Sequence, residues 1–598
     1  MESLGETQSQ TQNVSLPVLM VQVQQLELSK QDERAMALYQ RWLMNNANMP
    51  MAHLAWHDYG RLLAKNQDES RAISAFRAAI EQKSDFIPSL LALGISLEKI
   101  GQSTEAISLW KTQIDEVNQN LSVLLNNVGR VELNLSNLEG SEAALLASLR
   151  SKPGQFDVIS TILHLRQKMS KWPVIIPELQ ISEVNSASYF GPLSSLAYFN
   201  DPVLNLESTR NFLKAKGYYD SAPMGNSHSF CYKKHEKIKV GFLSADFRLH
   251  ATSVFFAPLL ADLNRGIFEV YALDITTRND PFGDVRQRLL NSVDQHIPLQ
   301  NLTDQQAVDL IRFHEIDVLV DMSGLTADAR PGIVLAKAAP VQVSYLGFIG
   351  SSAMESVDYI VTTKELYLEE CTDGYVEQPL FLPEIYIPIN EDLMPNMDIK
   401  ISKRDCALPE DGFIYCALVN TYKITPEVFS SWMRILQAVE RSVIWLIGEN
   451  ETVKKNLTEF AKNYGIDSLR LIFTARIPPP HYRAYLANAD ILLDTFPYGN
   501  GATAREAILA NLPILTRPGK TMMSRLTGHL MGRIGLTDFV VSSAEEYEQF
   551  AIALGRSPQR VLPYKQIMHQ SRHESSLFKV QEFVAQFGEV LKGVVKFE

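Results

Sequence analysis

Cysteine is scarce. Cys231, Cys371, Cys406 and Cys416 are the only four in 598 residues, and no two form a C-x-x-C pair. That is too few for a disulfide scaffold, and the spacings do not resemble a zinc site. Basic residues are not in excess: Lys plus Arg is 56, Asp plus Glu is 68, and the formal charge is −12 at pH 7. A generic nucleic-acid or anionic-membrane surface needs the opposite balance, so neither partner is expected. No run of 18 apolar residues occurs, so no membrane span is expected. The first residues, Met1-Glu2-Ser3-Leu4-Gly5-Glu6-Thr7, lack the basic start and apolar core of a signal peptide, and the expected compartment is the cytoplasm.

What is present begins with a repeat. Gly60, Gly94 and Gly129 recur at 34 and 35 residues, Ala72, Ala106 and Ser141 follow each by 12, and Phe76, Trp110 and Leu145 come 4 later. Small residues permit close helix crossings, with a large apolar residue filling the gap behind. That is the tetratricopeptide pattern, here Trp56-x-x-Tyr59-Gly60 and Ala72-x-x-x-Phe76-x-x-Ala79, and Pro153 closes the third unit. An irregular helical bundle is the plainer alternative. Residues 20–50 also read as helical, and the Gln-, Ser- and Thr-rich start reads as disordered. Stacked helix pairs offer a concave groove for peptides or proteins and say nothing about chemistry. Such faces often self-associate, which admits a homo-oligomer without requiring one.

From residue 237 short apolar runs alternate with helical stretches. Lys239–Leu243, Phe268–Leu273, Ile316–Asp321 and Val341–Leu346 read as strands of one parallel sheet. A second series starts near 412, with strands at Phe413–Cys416, Val443–Ile447, Leu471–Phe473, Ile491–Leu493 and Pro513–Leu515. Two doubly wound halves in tandem place a cleft at the carboxyl ends of their strands. No G-x-G-x-x-G follows the first strand, which weakens a dinucleotide reading. Gly519-Lys520-Thr521 resembles the tail of a P-loop, but Ile514 stands where its first glycine belongs. No D-x-D pair is present, so no metal is called for.

Three strand-end segments carry candidate chemistry. In Asp246 to Ser253, His250 precedes Thr252 and Ser253 at a helix start, offering an imidazole and hydroxyls beside free N–H groups. The segment reads equally as a helix cap with a surface histidine. In Asn420-Thr421-Tyr422-Lys423-Ile424-Thr425-Pro426, Lys423 is either a point charge for phosphate or an ordinary solvated lysine. In Asp494 to Glu506, a Gly-rich turn through Gly499-Asn500-Gly501 feeds a helix, which makes either an anion site or a plain cap.

With these residues in order, the chain resembles the O-GlcNAc transferase family of glycosyltransferases, family 41. The match runs through Val240 to Phe247, His250-Ala251-Thr252-Ser253, Ala339-Pro340-Val341-Gln342 with Leu346-Gly347, Met354 to Ile360, Asn420 to Ile424, Ala489 to Thr495, and Pro518-Gly519 with Ser524-Arg525. The resemblance implies an α-helical tetratricopeptide solenoid followed by an α/β GT-B region of two Rossmann-like domains. The expected layout is a disordered 1–20, repeats over 21–153, a helical linker over 154–236, a first catalytic domain over 237–400, and a nucleotide-sugar-binding domain with a closing helix over 401–598.

The family implies inverting, metal-independent transfer of a sugar from a UDP-sugar substrate to a protein side chain, with no cofactor. Carried over residue by residue, Lys423 would neutralise the leaving diphosphate, and Gly501, Ala502 and Thr503 would hold the same phosphates. Glu506 would bind ribose. Asn420 and the segment around Ile477, with His481 or Tyr482, would hold the pyrimidine. His250 would line the sugar and acceptor site beside Tyr422, and Gly347 would approach the sugar. Protein acceptors would enter through the repeat groove. Two departures stand out. Gly501-Ala502-Thr503 aligns with His-Thr-Thr of animal and many bacterial members, and Ile349 replaces a usual proline. Phe496-Pro497-Tyr498-Gly499-Asn500 is similar to the bacterial adhesin N-glycosyltransferases of the family, which use glucose and modify Asn. Donor sugar (GlcNAc or Glc) and acceptor (Ser/Thr or Asn) therefore stay open. The competing function is a tetratricopeptide adaptor whose GT-B part is inactive.

Overall fold

The computed structural model describes residues 14–114, 121–221, 230, 234–278, 284–390 and 399–595. It forms two compact units, one running to Val158 with 177–180, the other holding 159–176 and 181 onward. Cys231 and most of the expected disordered start lie outside the described residues.

The first unit is built from α1 (Leu16–Leu28), α2 (Asp32–Asn46), α3 (Ala52–Lys65), α4 (Glu69–Gln82), α5 (Ile87–Lys99), α6 (Ser103–Ile114), α7 (Leu121–Asn134) and α8 (Leu138–Ser151), each packed on its neighbour in sequence. The expectation of disorder through residue 20 is corrected, because α1 begins at Leu16. Leu19 and Val23 bury themselves in the solenoid core, and the Trp42 indole donates to the Val14 carbonyl at 2.8 Å. The repeat glycines have a direct cause. A Cβ on Gly60 would lie 2.6 Å from Phe76, one on Gly129 2.6 Å from Leu145, and one on Gly94 would run into the Trp110 indole. The small residue thus faces the large one of the next helix. In the third unit Ser141 donates to the Gly129 carbonyl at 2.7 Å.

A Gly94→Ala substitution weighs two effects. Alanine gains about 1 kcal/mol of helix propensity. Overpacking costs about 1–3 kcal/mol. The Trp110 ring cannot yield, being fully buried and fixed by its 2.9 Å hydrogen bond to Leu90 O. We expect net destabilisation, read as a lower thermal midpoint; an unchanged midpoint would show that the repeat tolerates the added methyl.

The second unit carries two parallel sheets. The first joins β1 (Ile238–Ser244), β2 (Phe268–Asp274), β3 (Gln295–Pro298), β4 (Val318–Asp321), β5 (Val341–Ser344), β6 (Tyr359–Thr362) and β7 (Gln378–Phe381) in the order β3-β2-β1-β4-β5-β6-β7. Register is set by pairs such as Val240 with Val270 and Val318. The second joins β8 (Phe413–Ala417), β9 (Ser442–Ile447), β10 (Leu471–Thr474), β11 (Ile491–Leu493) and β12 (Ile514–Leu515) in the order β10-β9-β8-β11-β12. The central strands are buried along their length, as expected of sheets covered on both faces. Strand order reverses between β1 and β4, and between β8 and β11. Those carboxyl ends are where open α/β sheets bind ligands.

Two expected boundaries shift. Much of the stretch read as a linker, 154–236, is part of the second unit. Leu196, and Leu206 and Leu213 of α10 (Pro202–Ala215), join the core of the first sheet. The division falls within α9 (Phe156–Lys168). The closing helix, α15 (Val580–Val594), packs on the first sheet's α11 (Ser253–Asp262) rather than on the second domain. Its buried Phe583, Phe587 and Leu591 form one face, and the Phe587 ring lies 5.1 Å from Tyr345. β3 and the helices Met522–Arg533 and Val561–Glu574 are additions that the apolar pattern does not announce.

Candidate functional site

β1 ends at Ser244 and delivers Asp246 and His250 into the loop before α11. The loop is pinned from β2 and the chain beyond it: Phe247 N donates to Thr276 Oγ1 at 3.1 Å, and Arg286 donates to Phe247 O at 2.9 Å. His250 Nδ1 lies 3.0 Å from Asp246 Oδ2 and 2.9 Å from Thr252 Oγ1. Burial by itself would raise the Asp246 carboxyl. The hydrogen bond and charge of His250, with Arg248 and Thr252, outweigh it and hold the group below the usual carboxylate range. The imidazole is 37% exposed. A carboxylate at Nδ1 leaves Nε2 as the open ring atom. Ser253, also foreseen here, instead closes the cap: it accepts from His250 N and donates to His250 O.

His250 shares a cavity of about 330 Å³ with residues of the second sheet's half. These are Ile477 on the loop after β10, Tyr482 on α13 (Pro479–Leu486), and Ala502, Thr503 and Glu506 on α14 (Ala502–Leu509). Of His481 and Tyr482, Tyr482 lines the cavity, and its phenol donates to Leu418 O and meets Thr503. Glu506 is already engaged: Oε1 pairs with Arg505, and Oε2 lies 3.5 Å from Arg483. Gly501 is the residue capping α14, and an added Cβ there would meet Leu526 at 3.4 Å.

The other foreseen residues lie outside that cavity. Lys423 ends the turn Thr421–Lys423 after β8. Its ammonium donates to Gly499 O at 3.2 Å and sits 4.3 Å from the Tyr498 ring centre, against the turn that feeds α14. Burial pushes its pKa down to about 8, opposed by the charge of Asp494. Asp494, at the end of β11, shapes the turn by accepting from Thr495 N, Asn500 Nδ2 at 2.7 Å and Thr516 Oγ1 at 2.7 Å. Burial pushes this carboxyl up to about 6. Tyr422 faces a separate cavity of about 280 Å³ with Trp172, Tyr198 and Phe496, its ring 5.8 Å from Tyr498. Asn420 is exposed and makes no side-chain cap. Gly347 has a main-chain reason to be glycine, since a Cβ would strike Met322 O and lie 2.9 Å from Ser323 Cα.

Sequence reasoning gave no role to Tyr498, Asp494 or Asn500 in fixing the turn, nor to Arg248 and Arg505 of the cavity wall, and it placed Arg476 only within the pyrimidine segment. Asp494 closing an apolar strand and an aromatic inside a glycine-rich turn were the available signals. Among the described residues no group of three or more His, Cys, Asp or Glu is placed to hold a metal.

The description of glycosyl transferase family 41 matches residues 220–397 and 387–587. The chain belongs to this family. Residues 19–163 match the middle TPR-like domain described for cilia and flagella-associated protein 70. A probable UDP-N-acetylglucosamine–peptide N-acetylglucosaminyltransferase SEC of Arabidopsis thaliana is 27% identical over 408 residues, covering 66% of this chain and 41% of that protein. The UDP-N-acetylglucosamine–peptide N-acetylglucosaminyltransferase of Caenorhabditis elegans is 21% identical over 473 residues, covering 60% and 41%. The chain thus spans about two-fifths of these relatives. A point mutant of the Thermobaculum terrenum O-GlcNAc transferase superposes with a TM-score of 0.67 at 22% identity, over 91% of this chain and 97% of that one. That likeness speaks for the fold: a helical repeat region followed by paired α/β domains of GT-B type.

Proposed function

We infer that this family 41 chain transfers a sugar from a UDP-sugar to a protein side chain. GlcNAc is the donor sugar that the relatives' names favour, with glucose the variant suggested by the 496–500 turn; the acceptor is a Ser/Thr hydroxyl or an Asn amide. The observation that carries the reading is the single cavity in which an aspartate-backed histidine meets the start of a helix entered through a glycine turn. The helix start and Lys423 receive the departing diphosphate, while His250 Nε2 accepts the acceptor's proton. Charge develops on the leaving group, and fixed main-chain dipoles plus an ammonium stabilise it without a metal. Attack opposite the leaving group inverts the anomeric centre. Ile477 and Asn420 flank the pyrimidine, Glu506 reaches the ribose through an oxygen it also shares with arginine, and Tyr422 borders the acceptor side. Gly347 lets the chain pass close to the sugar. The repeats take up protein acceptors, in the cytoplasm.

A UDP-release assay with UDP-GlcNAc and UDP-glucose, joined to intact-mass analysis of co-expressed proteins, tests this. Release of UDP with a matching mass gain on a protein is expected. Neither signal from a protein that binds both donors would instead favour the inactive adaptor.

The lowered pKa of Lys423 gives a pH prediction. The ammonium is charged below about pH 8 and neutral above it, and only the charged form stabilises the diphosphate. So kcat/KM, which reports the free enzyme, falls as pH rises through about 8. In Lys423→Arg the charge persists across that range, and the alkaline limb disappears whatever rate remains. The same limb in both proteins would assign it elsewhere.

A further inference from the structure

Three arginines line the 330 Å³ cavity, and their situations differ. Arg248 Nη2 pairs with Asp246 Oδ1 at 2.8 Å, and Asp246 also serves His250. Arg505 is buried, pairs with Glu506 and donates to Asn390 O. Arg476, on the loop between β10 and α13, is exposed and has no ion pair or hydrogen bond among the described residues. The carboxylate that lines this cavity, Glu506, pairs with Arg505 and Arg483 and not with Arg476.

An exposed arginine is usually just solvated. Two facts separate Arg476 from that case. It lines the same cavity as His250 and the start of α14, where a cation keeps more of its strength than on an open surface. And Gly501, the residue capping α14, has no side chain, so the turn into that helix brings main-chain amides and the Thr503 hydroxyl but no cation of its own. Lys423, the cation that the proposed function gives to the diphosphate, is not among the residues that line this cavity. The cleft therefore has an uncompensated guanidinium where ligand binds. A UDP-sugar whose hexose is neutral carries its negative charge in one place, the diphosphate, because uridine and the sugar are both uncharged. The countercharge for Arg476 is then the diphosphate.

We propose that Arg476 is a donor-binding residue that grips the diphosphate of the nucleotide, with its planar fork spanning two phosphate oxygens. Lysine offers one point charge in place of that fork. This inference rests on the proposed function, since it takes the cavity as the donor site. It adds a residue from the base-binding loop to the phosphate-binding set, so that the 475–480 segment senses whether the nucleotide carries phosphate.

The test is calorimetric titration of full-length wild type, Arg476→Ala and Arg476→Lys with UDP and with uridine, at two salt concentrations. Arg476→Ala is expected to weaken UDP at least about tenfold at low salt, to leave uridine within about twofold, and to flatten the salt dependence of UDP binding. Arg476→Lys is expected to recover part of the loss. UDP bound by Arg476→Ala as tightly as by wild type overturns the inference and leaves the proposed function standing. So does a parallel loss of uridine, which would place the arginine on the base. Wild-type protein that binds neither UDP nor its sugar esters overturns the proposed function, and this inference with it.

Discussion

Lys423→Ala is expected to lower turnover by about two to three orders of magnitude while the protein stays folded. The size is that of removing one preorganised stabiliser of developing charge. The side chain stands where β8 ends, at the reversal of strand order in the second sheet, and its ammonium touches the turn that leads into α14. Its contacts within the protein are weak ones for a charge: one carbonyl at 3.2 Å and one ring face at 4.3 Å. Burial pulls its pKa to about 8, so the fold itself disfavours the charge. Removing it relieves that cost, and a collapse of stability is not expected. The loss should fall on kcat more than on donor KM, because the charge on the leaving oxygen grows most in the transition state. A folded Lys423→Ala enzyme with wild-type turnover would remove Lys423 from the leaving-group site.

How far the sequence reveals the structure differs from part to part. The repeat is visible because its cause is local: a glycine on one helix meets a large side chain 16 residues on, and each turn of the solenoid repeats that contact. The two parallel sheets are visible because strands buried on both faces spell short apolar runs. The closing helix reads as part of the wrong half because its apolar face, Phe583, Phe587 and Leu591, says that it packs but not on what. The stretch 181–215 reads as a linker for the same reason: Leu206 and Leu213 name a face without naming its partner. At the site, segments are legible and pairings are not. His250, Ile477, Ala502, Thr503 and Glu506 come together across more than 250 residues of chain. That Glu506 reaches Arg483 and that Gly347 is pressed on Ser323 are products of tertiary placement. No spacing encodes them.

His250→Ala is the second large effect, expected to cost about 10²–10⁴-fold in kcat, the range for loss of a positioned general base. The proposed role needs a free lone pair on the ring, which mere sugar contact does not. In the tautomer that donates from Nδ1 to Asp246, the lone pair is on Nε2, the atom able to take a proton from an acceptor hydroxyl or amide. Asp246→Asn keeps the shape of the partner but removes its charge and lets the ring turn over. It should therefore lower kcat as well, by less than the loss of the ring, and with little change in donor KM. The two losses should not add. Once the imidazole is gone, its carboxylate has nothing to orient, so the double variant should match His250→Ala. Additive losses would mean that Asp246 acts on the loop through Arg248 rather than on the histidine. A His250→Ala enzyme with unchanged kcat and raised donor KM would reduce the histidine to a binding contact and move the base to another group in the cavity.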